Sequence, residues 1–203
     1  MNTPTAVALT FPGQGSQTIG MAVELMEQAC TRDLFELADH TLGFHLSRLM
    51  REGDMAELTQ THNAQPALFV AGMAAFTYLT KQAGKTAPQL ASHLLGHSLG
   101  EYTAACATGF MPFEQGLQLV RARGQAMSKV TGGAMAAVLG LELETIQHIA
   151  TASGCFVAND NAPGQVVISG LEPTIATAED ALKAAGAKRV LRLPVSGAFH
   201  TPA

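Results

Sequence analysis

Leu95-Gly96-His97-Ser98-Leu99-Gly100-Glu101 carries the pattern Gly-x-Ser-x-Gly. In a nucleophile elbow this pattern puts a serine on the sharp turn between a strand and a helix, with glycines where a Cβ would crowd the backbone. An ordinary Gly-Ser turn has the same spelling, so the flanks decide. Upstream, residues 89–95 read as a short, largely apolar strand. Downstream, residues 101–107 read as a helix of small residues ending near Gly109. The strand-turn-helix setting makes Ser98 the candidate covalent acyl carrier.

Working outward, residues 6–11 read as a buried strand that runs into Pro12-Gly13-Gln14-Gly15-Ser16-Gln17, a glycine-punctuated loop able to expose backbone N–H groups. Helices are predicted over 21–29, 33–42 and 66–82. The uncharged stretch from Thr59 to Thr80 is broken by Gln60, His62, Asn63 and Gln65, so it reads as a loop and a buried helix rather than a membrane span. Over 113–130, Phe113, Leu117, Val120, Gly124 and Met127 form a stripe at helical spacing. Strands alternating with helices point to an α/β layer fold.

From Gly133 the rhythm changes. Apolar runs at 134–139, 156–158, 166–169 and 189–193, with helical segments at 144–153 and 174–185, give the order β-α-β-β-α-β of a ferredoxin-like subdomain. Asn161-Ala162-Pro163-Gly164-Gln165 is expected to supply the turn between its middle strands.

The chain of 203 residues is 47% hydrophobic and 14% charged, enough for a substantial core. A net charge of −4 without a basic stripe argues against nucleic acid as a partner. The N-terminus lacks the pattern of a signal peptide, and Cys30, Cys106 and Cys155 lack metal-like spacing; a cytoplasmic protein with buried thiols is expected, with no metal and no membrane.

A serine at its free pKa is a poor nucleophile and needs a base and an oxyanion pocket. Of the seven histidines, His97 adjoins the serine and is read as a packing or pocket residue. His200 differs because it lies in Pro194-Val195-Ser196-Gly197-Ala198-Phe199-His200-Thr201-Pro202, directly after the last predicted strand. Spacing alone leaves it open whether His200 is a base or an exposed loop residue. Arg121 and Arg123 flank the apolar stripe of their helix from opposite sides, and periodicity does not choose between them.

Five segments occur in the order seen in malonyl-CoA:acyl carrier protein transacylases. They are Phe11-Pro12-Gly13-Gln14-Gly15-Ser16-Gln17, Gln65-Pro66-Ala67-Leu68, Gly96-His97-Ser98-Leu99-Gly100-Glu101-Tyr102, Arg121-Ala122-Arg123-Gly124 and Gly197-Ala198-Phe199-His200. The chain also resembles the stand-alone acyltransferases that load polyketide carrier domains in trans.

The resemblance implies that Ser98 takes a malonyl group from malonyl-CoA and passes it to the phosphopantetheine thiol of an acyl carrier protein, in fatty acid or polyketide biosynthesis. His200 would be the general base, and the backbone N–H groups of Gln14 and Leu99 the oxyanion hole. Arg123 would hold the malonyl carboxylate by its planar fork. Phe199 resembles the bulky residue of malonyl-selective members, and Gln65, His97 and Asn161 fall in family motifs as pocket residues. No cofactor is implied.

The fold implied is a hydrolase-like parallel-sheet large domain (1–130), an inserted ferredoxin-like subdomain (131–196) and a return to the large domain (197–203). Relatives continue for roughly another hundred residues, so the C-terminal part of the large domain is expected to be missing. An acyl hydrolase on the same scaffold and an inactive carrier-binding remnant are the alternatives; Arg123 and the Phe199-His200 pair argue against the hydrolase.

Overall fold

The computed structural model describes residues 6–195 and 197–202. The expected subdomain boundary at Ser196 and the chain end at Ala203 lie outside the described residues. Two compact units divide the chain, Met1–Gln125 and Ala126–Ala203.

The first unit runs β1 (Ala8–Phe11), α1 (Val23–Met26), α2 (Arg32–Leu42), α3 (Leu46–Glu52), α4 (Met55–Thr59), α5 (Thr61–Ala83), α6 (Ala87–Leu90), β2 (His93–Gly96), α7 (Gly100–Ala107) and α8 (Phe113–Ser128), the last turn of α8 falling in the second unit. Strands β1 and β2 pair in parallel, Ala8 with His93 through Phe11 with Gly96. This register sets the loop after β1 beside the turn after β2. The core gathers Leu46, Met50, Leu58, Phe69, Val70, Leu117 and Val120, all fully buried. Helix α5 is the central element, and its buried run from Asn63 to Val70 takes in the polar Asn63 and Gln65 that broke the apolar stretch in the sequence. Among the described residues no helix is long and apolar enough to cross a membrane.

Four elements of this unit differ from the sequence reading. Residues 87–90 form α6 rather than the start of a strand, because Gln89 Oε1 accepts from the Thr86 N–H at 2.9 Å and closes a capping box. Helices α3 and α4 escape detection from sequence because they are short and take their caps from particular carboxylates. Asp39, on α2, accepts from Ser47 N at 2.9 Å and Ser47 Oγ at 2.6 Å at the start of α3, and Asp54 accepts from Glu57 N at 3.0 Å at the start of α4. Helix α5 begins at Thr61, five residues before the proline that was expected to open it.

The second unit contains β3 (Gly133–Leu139), α9 (Leu143–Ala152), β4 (Phe156–Ala162), β5 (Gln165–Leu171), α10 (Glu172–Ala184) and β6 (Arg189–Arg192). Its sheet has the order β4-β5-β3-β6 with antiparallel neighbours throughout. Side chains alternate across it: Ala136, Val138, Val166 and Ile168 pack with Ile146, Ile175 and Leu182 of the helices, whereas Met135 and Val167 face the other way and pack with Phe199. Pro163 and Gly164, with φ +73° at the glycine, alone make the turn between β4 and β5. Asn161 therefore lies within β4, at a register shift between Asp160 and Ala162, and not in the turn.

Candidate active site

The elbow is built by backbone geometry. Ser98 has φ +54°, in the left-handed region that costs a non-glycine residue about 1 kcal/mol or more. The turn is held by the His97 N–H donating to Phe11 O at 3.0 Å and the Gly100 N–H donating to His97 O at 2.9 Å. Glycine is required on both sides. A Cβ on Gly96 would collide with the Glu101 nitrogen and the Gly100 carbonyl, and one on Gly100 would collide with the Phe11 carbonyl oxygen. The serine is thus pushed out at the head of α7.

His97 turns toward the loop after β1, where a Cβ on Gly13 would lie 2.5 Å from its Nδ1. That loop is tied by the Gly15 N–H to Gln17 Oε1 at 2.8 Å and by the Ser16 hydroxyl to Gly13 O at 3.2 Å. The N–H groups of Gln14 and Leu99 donate to no acceptor among the described residues, although Leu99 is 1% exposed. Backbone donors in this condition suit a charge that arrives with a ligand.

Arg123, on α8, links the pieces. Its Nη2 donates to Ser98 Oγ at 2.9 Å and its Nη1 to Gln65 Oε1 at 2.7 Å. Gln65 is fully buried, and its Nε2 donates to Gln14 Oε1 at 3.5 Å, while Gln14 Nε2 donates to Thr61 Oγ1 at 3.3 Å. The chain Ser98, Arg123, Gln65, Gln14, Thr61 joins the elbow, α8, the start of α5 and the loop after β1. Burial lowers the Arg123 pKa, with Tyr102 and Glu101 acting the other way. No carboxylate among the described residues forms an ion pair with it. A fork-shaped cation with one arm on a nucleophile can exchange that arm for an incoming carboxylate.

Helix α8 comes this close because of Gly124, where a Cβ would lie 2.8 Å from His62 Cα and 2.9 Å from Thr61 O. Arg121, one position on the other side of Ala122, donates through Nη1 to the His62 carbonyl and, at 2.8 Å, to Asn63 Oδ1. Burial and the Arg121 charge both lower the His62 pKa. Thr61 was not singled out from the sequence, and Arg121 entered only as the helix flank opposite Arg123. The sequence offered no signal for them, because Pro66 reads as a helix opener and only the structure, in which α5 starts at Thr61, shows a carbonyl four residues earlier in want of a donor.

The remaining candidates belong to the second unit. Phe199 is 8% exposed and packs with Met135 and Val167. His200 is exposed and has φ +58°, in a turn closed by the Thr201 hydroxyl donating to Ala198 O at 2.7 Å. Asn161 is exposed on β4. The first unit therefore gathers Gln14, Gln65, Ser98 and Arg123, with His97 and Leu99 on the elbow itself. The second carries Asn161, Phe199 and His200.

Known proteins share the sequence and fold of this chain. The chain is 45% identical over 204 residues to the malonyl CoA-acyl carrier protein transacylase of Bacillus subtilis, covering 96% of this chain and 63% of that one. The crystal structure of the acyl-carrier-protein S-malonyltransferase from Bartonella henselae superposes with a TM-score of 0.93 at 41% identity, over 98% of this chain and 65% of that one. A second structure, a type II polyketide synthase acyl carrier protein in complex with its malonyl transacylase, gives 0.89 at 38%, over 96% and 64%. The chain thus spans just under two thirds of the length of these relatives. Residues 9–203 match the acyl transferase domain family over nearly the whole sequence, and the chain belongs to that family.

Proposed function

We propose that this chain carries the acyl-accepting site of an S-malonyltransferase, moving malonyl from malonyl-CoA to the phosphopantetheine thiol of an acyl carrier protein. The observation that carries the reading is Arg123, which reaches the nucleophile with one arm and the buried Gln65 with the other. A hydrolase of assorted acyl groups needs no such carboxylate clamp.

Ser98 Oγ attacks the thioester carbonyl while His200 removes its proton. The oxyanion of the tetrahedral intermediate sits on the N–H groups of Gln14 and Leu99. Collapse expels the CoA thiolate, which takes the proton from His200 and leaves malonyl-Ser98. The carrier thiol then attacks that ester, gives its proton through His200 to Ser98 Oγ, and departs as the malonyl thioester. During both steps the malonyl carboxylate replaces Ser98 Oγ on Arg123. Phe199 limits room at the acyl α-carbon, and His97, Gln65 and Asn161 shape the pocket.

No cofactor takes part, since the phosphopantetheine arm belongs to the carrier. The β-α-β-β-α-β unit is read as a ferredoxin-like subdomain set into a hydrolase-like large domain. The pathway is fatty acid or polyketide synthesis, in the cytoplasm. The test is intact mass after incubation with malonyl-CoA, with and without holo carrier protein. A malonyl adduct lost in Ser98→Ala and discharged onto the carrier supports transfer. Free malonate without carrier acylation would replace it with hydrolysis.

A further inference from the structure

We propose that Arg121 is a positioning residue for acyl selection: it supplies the hydrogen bond that Pro66 removes from α5 and thereby keeps Gln65 aligned under Arg123. The inference rests on the malonyl reading above. In a regular helix the N–H of residue 66 would donate to the carbonyl of residue 62. Proline has no N–H, and its ring presses on that carbonyl. Pro66 nevertheless lies inside α5, with five helical residues before it. The Arg121 guanidinium donates to the His62 carbonyl in place of the missing amide. Its Nη1 also donates to Asn63 Oδ1, and its Cζ stands 4.9 Å from the centre of the Phe44 ring, which fixes the plane of the fork.

Two arginines on one turn of α8 thus address one turn of α5 for different purposes. Arg121 secures His62 and Asn63, and Arg123 meets Gln65, the residue immediately before the proline. Gly124 brings the two backbones together at this point. With Arg121 gone, the helical turn that ends in Gln65 loses the donor substituting for its broken backbone bond. Gln65 Oε1 then no longer holds the Arg123 fork in register with the acyl carboxylate. Acetyl transfer, which presents no carboxylate, does not depend on that register.

The experiment measures Ser98 acylation by intact mass against concentration of malonyl-CoA and of acetyl-CoA, using the full chain. Arg121→Met is expected to raise the half-saturating malonyl-CoA concentration about tenfold, leaving acetyl-CoA within about twofold. Pro66→Ala restores the N–H, so Pro66→Ala/Arg121→Met is expected to return malonyl loading to within about threefold of Pro66→Ala alone. Equal losses on both acyl groups, or a double variant no better than Arg121→Met, would overturn the proposal. If Arg121→Met does not fold, the comparison of the double variant with Pro66→Ala decides by itself. Failure of the unsubstituted chain to form any malonyl-Ser98 adduct would strike the parent reading instead and is visible in the first sample.

Discussion

Arg123→Ala should separate malonyl from acetyl loading more sharply than any other substitution in the first unit. The side chain offers two donors on one planar fork, 2.9 Å from Ser98 Oγ and 2.7 Å from Gln65 Oε1. A charge-assisted hydrogen bond contributes about 1.5–3 kcal/mol, less where the groups are half-exposed, as Arg123 is. Loss of the clamp is therefore worth about 2–4 kcal/mol, a fall of roughly 30- to 800-fold in the rate of Ser98 malonylation at limiting malonyl-CoA. Acetyl loading should stay within about threefold. The fold also feels the change, because buried Gln65 loses a donor. A cost of about 1–2 kcal/mol would lower Tm by roughly 2–8 °C, so loading is compared well below the transition. The assay is quench-flow with intact mass for each acyl-CoA, with Arg123→Lys as the variant that keeps the charge and loses the fork. A parallel collapse of acetyl and malonyl loading would refute the carboxylate-clamp argument.

Ser98→Gly and Ser98→Ala should both abolish the adduct and both lose the Arg123 hydrogen bond, but the glycine variant should be the more stable by about 1 kcal/mol because the φ of +54° suits glycine; urea unfolding that finds the alanine variant equally or more stable would count against strain at the elbow. Gly100→Ala should cost more than about 3 kcal/mol or prevent folding, because its Cβ meets the Phe11 carbonyl, and a soluble variant with unchanged urea midpoint would contradict that geometry. Burial raises the Cys106 thiol to about 11, so native protein at mildly alkaline pH should alkylate at the half-buried Cys30 before Cys106, as peptide mass mapping can show. The same shift has a signed consequence for stability: the contribution is present below the unfolded thiol pKa of 9.0 and is lost as pH rises through about 11. Phe199→Leu should raise the ratio of methylmalonyl to malonyl loading, and an unchanged ratio would remove steric selection from Phe199.

The elbow was legible because its chemistry is local. Two glycines around a serine, a strand before and a helix after, are short-range requirements, and the structure realises them with α7 beginning two residues beyond Ser98. The second unit was legible for a similar reason, since antiparallel strands and their helices show their buried faces as alternation and helical spacing; the element order emerged intact, although β4 extends to Ala162. The start of α5 was not. Pro66 reads as a helix opener, but α5 begins at Thr61, and the donor on the His62 carbonyl is a guanidinium from α8, 55 residues after the proline in sequence. Helix α3 is comparable, because its cap is a carboxylate from the preceding helix.

Arg123 shows the same division at the site. By periodicity Arg121 and Arg123 were equivalent flanks of one helix, and motif resemblance preferred the second. The sequence by itself determined that a serine would be exposed on a strained turn, that a glycine-lined loop would follow the first strand, and that an α/β unit would precede a β-α-β-β-α-β unit, because each depends on neighbours in the chain. Tertiary structure alone decided that Arg123 touches the serine while Arg121 mends the proline break. Those assignments depend on Gly124 letting α8 settle against the first turns of α5, a contact between segments that local periodicity does not encode.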